Sequence, residues 1–327
     1  MRMIQTFTQL LHQKTKQKGM KTATIVADVL CISQDAAYRR IRNPESFRAD
    51  ELMKLAKEFE IDLNTMIHLG KNWFQGEFRL INKQYTTHDY YGDINGYLEK
   101  AIERPNSMIT YGAQEIPLFY RFWFPALAAF KAFVWQRDFL NDMSLRTQPF
   151  RASLMPLERN FEKLSDNYLQ VASEEIWCPE TLFSTLYQIH HYRECGLFAN
   201  ENEFRAVMDE YDFLVDHIVA QAERGKKLHP YLPHVVGADY HLYFSPLVSA
   251  DNTFIIKTIR DNIAFVNSQK NGVLISDCEH WVNTSSSWLE TCKNNGTLLS
   301  VTGAGPRNKY FRLEYMAKKR VLGLNVD

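Results

Sequence analysis

A chain of 327 residues, 45% apolar and 13% aromatic, holds enough hydrophobic material for two or three folded domains, which excludes a disordered or low-complexity protein. No apolar run approaches the roughly 18–20 residues of a membrane span. The first residues lack the apolar core and cleavage site of a signal peptide, so a cytoplasmic protein without a membrane partner is expected.

The 38 basic and 38 acidic residues cancel overall, but unevenly. Residues 1–49 carry nine Lys/Arg against three Asp/Glu, a local balance of +6. A basic end on a neutral chain suggests a local polyanion contact rather than bulk coating of nucleic acid. The five cysteines (Cys31, Cys178, Cys195, Cys278, Cys292) are scattered without a C-x-x-C pair. They indicate neither a disulfide framework nor a zinc site, and are expected as reduced, mostly buried thiols.

Ile4, Phe7, Leu10 and Leu11 share one helical face, giving a first helix that ends near Gly19. A second helix opens at Lys21 or Thr22 and carries Ile25, Val26, Val29 and Leu30. Ala27 is small where another helix must come close. After a turn at 31–33, Ser33 is a suitable N-cap, and Asp35 complements the dipole of a third helix over 34–42. That helix places Ala37, Tyr38 and Ile41 on a packing side and Asp35, Ala36, Arg39 and Arg40 on the other. Asn43 before Pro44 stops it. A fourth helix over 49–60 buries Leu52, Leu55, Ala56 and Phe59, and Ile61, Leu63, Met66 and Ile67 suggest a fifth that closes the bundle.

This layout, with ATIVADVLCIS leading into QDAAYRRIR and then SFRADELMKLAKEFEIDLNTM, resembles Cro/repressor-type (XRE-like) helix-turn-helix regulators of the kind common in Bacteroidetes. The later phrase EIPLFYRFWFPALAAFKAFVW is also similar to the body of those regulators. The resemblance implies a homodimer that binds double-stranded DNA and regulates transcription. By position it assigns Gln34, Asp35 and Arg39 to base reading, where Gln suits adenine and Arg suits guanine. Lys21, Thr22, Arg40, Arg42 and Arg48 fall where phosphate contacts are expected. Two residues depart from the pattern. Cys31 fills a turn position usually held by glycine, at about 1–2 kcal/mol if the backbone is left-handed. Asp35 brings a carboxylate to a polyanion and suits it only by accepting from cytosine or holding an arginine.

Beyond the bundle, 71–95 reads as an aromatic and polar linking segment, and 107–111 as a short extended piece. Residues 118–134 are apolar nearly all round, the expected centre of a second domain, with Pro125 breaking or kinking the helix. This aromatic stretch reads as core packing or as the wall of a pocket for a hydrophobic effector. Helical patterns recur over 151–224 and end at Gly225. His190, His191, Cys195 and Cys178 invite a metal reading, but only His191 and Cys195 share a helical face, and two ligands do not make a site. From 236 the period changes: 241–248, 253–259 and then 263–269 or 272–277 read as short strands, a hairpin with one or two further strands. A helix over 279–293 follows, then a loop holding Gly303 and Gly305 and a final helix to about 322. That loop lacks the spacing of nucleotide motifs.

No nucleophile-elbow, zinc-protease, phosphate-loop or deaminase signature occurs, and His229, His234, His241, His280, Asp239 and Asp277 form no constellation. No catalytic residue, metal or cofactor is therefore expected. The expected architecture is mainly α, with a five-helix helix-turn-helix bundle (1–70), a large helical domain for dimerisation or sensing (71–235) and a small mixed α/β module (236–327). The expected function is a sequence-specific, dimeric transcriptional regulator whose body could sense a small molecule or peptide. The alternative is a protein-interaction module built on a helix-turn-helix-like bundle.

Overall fold

The computed structural model describes residues 2–17, 19, 21–61, 63, 76–156, 159–248, 252–268 and 272–321. They divide into two compact units, Met1–Gln75 and Gly76–Asp327.

The first unit comprises α1 (Arg2–Gln17), α2 (Thr22–Leu30), α3 (Gln34–Arg42) and α4 (Ala49–Glu58). Phe7, Leu11, Val26, Ala37, Leu55 and Phe59 are buried in its core. The turn between α2 and α3 is built around Cys31, whose backbone is left-handed (φ 55°, ψ 47°). The Cys31 amide donates to Asp28 and the Ile32 amide to Ala27, satisfying carbonyls that the helix end leaves open. Ser33 caps α3, its hydroxyl accepting from the Ala36 amide at 3.2 Å. Most of the expected fifth helix, including Met66 and Ile67, lies outside the described residues.

The second unit opens with β1 (Glu77–Leu80), α5 (Thr87–Ile102) and β2 (Met108–Ala113). A 3-10 turn (Leu118–Trp123), α6 (Pro125–Val134) and a π-helical segment (Trp135–Phe139) follow. Pro125 stands in the first turn of α6, where its missing amide costs nothing, so the apolar run is split in two. Then come α7 (Arg159–Gln170), β3 (Ala172–Trp177), α8 (Glu180–Glu194), α9 (Glu201–Arg224), β4 (Lys226–Leu228) and β5 (Val236–Phe244). The unit continues through β6 (Thr253–Lys257), β7 (Asn262–Ser268), β8 (Gly272–Ser276), α10 (Glu279–Asn294), β9 (Thr297–Leu298) and α11 (Ala304–Val321).

Among the described residues these strands form one nine-stranded mixed sheet in the order β1-β8-β7-β6-β2-β3-β5-β4, with β9 beside β5. β2, β3 and β5 are parallel, and β1, β8, β7 and β6 form an antiparallel wing joined to β2. The mainly α expectation, with a large helical middle and a small mixed tail, is therefore corrected: helix accounts for 58% of the structure, but a sheet runs through its centre. The physical reason lies in β2 and β3. Central parallel strands are covered on both faces and lose the alternation that marks a strand. β3 also carries two glutamates and follows α7 with a single residue between them, so it reads as the tail of a helix. β2 and β3 pair with β6 and β5, which places segments before and after residue 236 in one sheet.

One sheet face is covered by α5, α6, α7, α8 and α9 around a large core that includes Leu98, Phe119, Tyr168 and Tyr211. The other face packs Ile176, Val248 and Ile255 against Val282, Leu289 and Cys292 of α10. Within the large core, the wholly buried Glu175 of β3 accepts from Tyr120 (2.6 Å), Trp177 (2.8 Å), Tyr240 (3.3 Å) and Tyr168. Burial pushes its carboxyl above the ordinary range. Beside it, buried Lys227 donates to the carbonyls of Tyr168 (2.7 Å) and Val171 (2.6 Å).

Candidate functional site

Two places in the molecule gather polar groups that folding alone does not use up. The first is α3. Gln34, Asp35, Tyr38, Arg39 and Arg42 are all exposed, while Ala37 is buried. Their spacing of i, i+1, i+4, i+5 and i+8 places them on one face, so the helix turns a single polar and aromatic stripe outward. The Arg39 Nε donates to the Asp35 carbonyl at 3.4 Å, and not to its carboxylate. Among the described residues, Lys21, Arg39 and Arg42 make no ion pair. Arg48 lies 3.3 Å from Asp50 with both side chains mostly in water, a pairing of little strength.

Two residues of the expected phosphate set are placed otherwise. Thr22 is buried, and its hydroxyl is shared with His12 Nδ1 and Thr15 Oγ1, each at 2.7 Å. Its side chain ties α2 to α1. No side chain caps the first turn of α2, in which Thr22 and Ala23 are buried and the Thr24 amide donates to the Lys21 carbonyl. Arg40 is clasped by Glu51 through two contacts of 2.8 Å, and Glu51 also accepts the Arg48 amide at 2.9 Å. The bonds from Arg40 hold the Glu51 carboxyl below the usual range. Arg40 is thus a strut between α3 and α4, its charge neutralised. Tyr38 departs in the opposite direction. Expected on the packing side beside Ala37 and Ile41, it is 51% exposed and belongs to the outer stripe.

The second place is a cavity of about 470 Å³ in the larger unit, at the carboxyl end of β2. There the sheet changes from parallel to antiparallel pairing, the kind of position where open α/β sheets hold ligands. Its walls include Tyr91 of α5, Phe122, Trp135 of the π-helical segment and Phe161 of α7. Tyr91 meets Phe122 and Phe161 edge-on, each with ring centroids 5.1 Å apart. Into this aromatic chamber project Glu115, Arg121 and Lys131. Lys131 touches the Glu115 carboxylate and donates to Gln188 Oε1 at 2.5 Å. Burial draws its ammonium down to about 7. The Asn252 side chain accepts from the amides of Gln114 (2.9 Å) and Glu115 (3.1 Å), fixing the loop that carries the carboxylate. The apolar stretch singled out in the sequence therefore serves twice. Phe119 and Phe130 are core, whereas Phe122 and Trp135 face the cavity. Sequence reasoning missed Glu115, Arg121 and Lys131. Charged residues at 121 and 131 inside an otherwise apolar run were the available signal.

His191 and Cys195 do approach each other, with Sγ 3.7 Å from Nδ1. Among the described residues no group of three or more His, Cys, Asp or Glu side chains is placed to hold a metal ion. Cys31 and Cys195 are exposed rather than buried, and Cys178 and Cys292 are buried. No described helix is long and apolar enough to cross a membrane. Comparison with family models, with curated proteins and with solved structures gave no match.

Proposed function

We propose that the chain is a sequence-specific DNA-binding regulator of transcription, acting as a homodimer through α3. The observation that carries this reading is the exposed stripe of α3, with Gln34, Tyr38, Arg39 and Arg42 on one face and no acidic side chain paired to either arginine. A helix of this kind suits the major groove. Arg39 and Gln34 are the direct readers, and Tyr38 can lie against a thymine methyl. Lys21, Arg42 and Arg48 are the phosphate contacts. Asp35 sits beside Arg39 and accepts from a cytosine amino group. Thr22 and Arg40 serve by holding the bundle in shape. The unit as a whole carries twelve Lys/Arg against eight Asp/Glu, a net +4, which favours approach to a polyanion. Two copies would read half-sites about 34–36 Å apart. The protein is not an enzyme in this reading.

The test is affinity for genomic DNA fragments at several salt concentrations. Binding that weakens steeply with salt and is concentrated on a few fragments is expected. A well-folded sample with no salt-dependent binding would defeat the reading. A protein-docking role draws on the exposure of Tyr38 (51%) and Met53 (61%). That role predicts partner capture insensitive to phosphate competitors, and the same titration separates the two.

A further inference from the structure

Apart from tyrosines, three ionisable side chains line the cavity at the end of β2: Glu115, Arg121 and Lys131. Below about pH 7, where Lys131 carries its proton, two cations share one carboxylate, which leaves one positive charge in surplus. The carboxylate is taken by Lys131, which also has Gln188. The Arg121 guanidinium stands 3.9 Å from Glu115, beyond hydrogen-bond reach, and makes no other ion pair and no hydrogen bond among the described residues. Only 19% of its side chain is exposed. A guanidinium with five donors thus lines the cavity on a largely covered side chain without a protein acceptor, so its donors are open to a ligand.

The acceptor that best matches a guanidinium fork is a planar oxyanion, which takes two parallel hydrogen bonds. The rest of the chamber is unsuited to an inorganic ion. At about 470 Å³ it has the size of a small-molecule site, and Tyr91, Phe122, Trp135 and Phe161 offer ring faces and edges. The π-helical turn Trp135–Phe139 that supplies part of this wall is a local departure of the sort that recurs at functional sites. We propose that the cavity binds an aryl carboxylate, with the carboxylate seated on Arg121 and the aromatic body between Tyr91, Phe122 and Trp135. Glu115 is the counter-element. It keeps Lys131 occupied, so the site accepts one negative charge rather than two. The binding asks nothing of α3, so DNA binding and carboxylate binding succeed or fail separately.

The test compares 2-naphthoate with its uncharged isostere 2-naphthamide by titration calorimetry on the full chain. One 2-naphthoate per chain is expected, bound at least tenfold more tightly than the amide. Arg121→Gln should weaken 2-naphthoate at least tenfold while leaving the affinity for 2-naphthamide and the melting temperature unchanged. Because Arg121 has no close partner, this variant keeps the fold, and an unchanged melting temperature verifies that. Absence of 2-naphthoate binding, equal affinity for acid and amide, or an Arg121→Gln protein that binds 2-naphthoate as well as the parent would each overturn the proposal.

Discussion

Arg39 on α3 and Arg121 beside β2 both lack an ion-paired acceptor at hydrogen-bond distance among the described residues, yet they reach that state by opposite routes. Arg39 stays in water on a helix whose inner face does the packing, and its neighbour Arg40 is the one committed to Glu51. Arg121 is drawn into a chamber where Lys131 has already claimed the carboxylate. In the first unit the fold loses nothing by keeping a recognition side chain idle, because water satisfies it. In the second, the idle side chain is largely covered by protein and its position depends on the fold around it. The lesson is that a surface site and a cavity site ask for different mutational evidence. In both, removing the idle arginine should change binding without touching stability; in the cavity, removing the carboxylate that Lys131 has claimed should cost stability as well.

Glu115→Gln tests the coupled side of that contrast and carries the largest effect. It leaves Lys131 and Arg121 without a carboxylate in a buried setting, with an expected loss of about 3–5 kcal/mol in urea-unfolding stability. A loss under about 1 kcal/mol would show that the chamber tolerates its charges without pairing. Arg39→Ala probes the uncoupled side. DNA affinity should fall by about 1–3 kcal/mol with relaxed preference at one base pair, while stability shifts by less than about 0.5 kcal/mol. If the melting temperature drops along with affinity, the surface and cavity sites are not distinct in kind. Cys31→Gly has the smallest expected effect and concerns the frame that presents α3. Relief of the left-handed strain, about 1–2 kcal/mol, less the added freedom of glycine in the unfolded chain, about 0.5–1 kcal/mol, leaves a modest net gain. Chemical denaturation should show a slightly higher midpoint with DNA affinity unchanged.

Legibility in the sequence followed the range of the interactions involved. α2, α3 and α4 are set by spacings of three and four residues, by the Ser33 cap and by the stop at Pro44, so reading them needs only a local window. Cys31 in the turn was readable as a strained position for the same reason, and its φ of 55° bears the strain out. Tyr38 was not: the helical wheel grouped it with Ala37 and Ile41, but aromatic residues are buried only on average and this one is 51% exposed. Arg40 could be assigned only with Glu51 in view, eleven positions away on another helix. The sheet failed the local test more thoroughly. β2 meets β6 across about 145 residues of chain, and a buried parallel strand advertises no alternation. The cavity combines residues of α5, the β2 loop, α6, α8 and the β6–β8 region. Nothing in their separate neighbourhoods announces that they meet.

The cluster around Glu175 has a consequence for the history such a chain can have. Its carboxylate serves Tyr120, Tyr168, Trp177 and Tyr240, which come from four separate parts of the second unit. Because side chains alternate along a strand, sliding β3 by one residue would turn Glu175 and Trp177 toward Val282 and Leu289 and bring Ile176 among the three tyrosine hydroxyls. A one-residue misalignment of β3 with β2 or β5 therefore strands a carboxyl group on one side and several donors on the other. The glutamate thus fixes the alignment of the parallel strands. Descendants that lose it must replace several of its partners together, so this part of the core should change in blocks rather than one residue at a time.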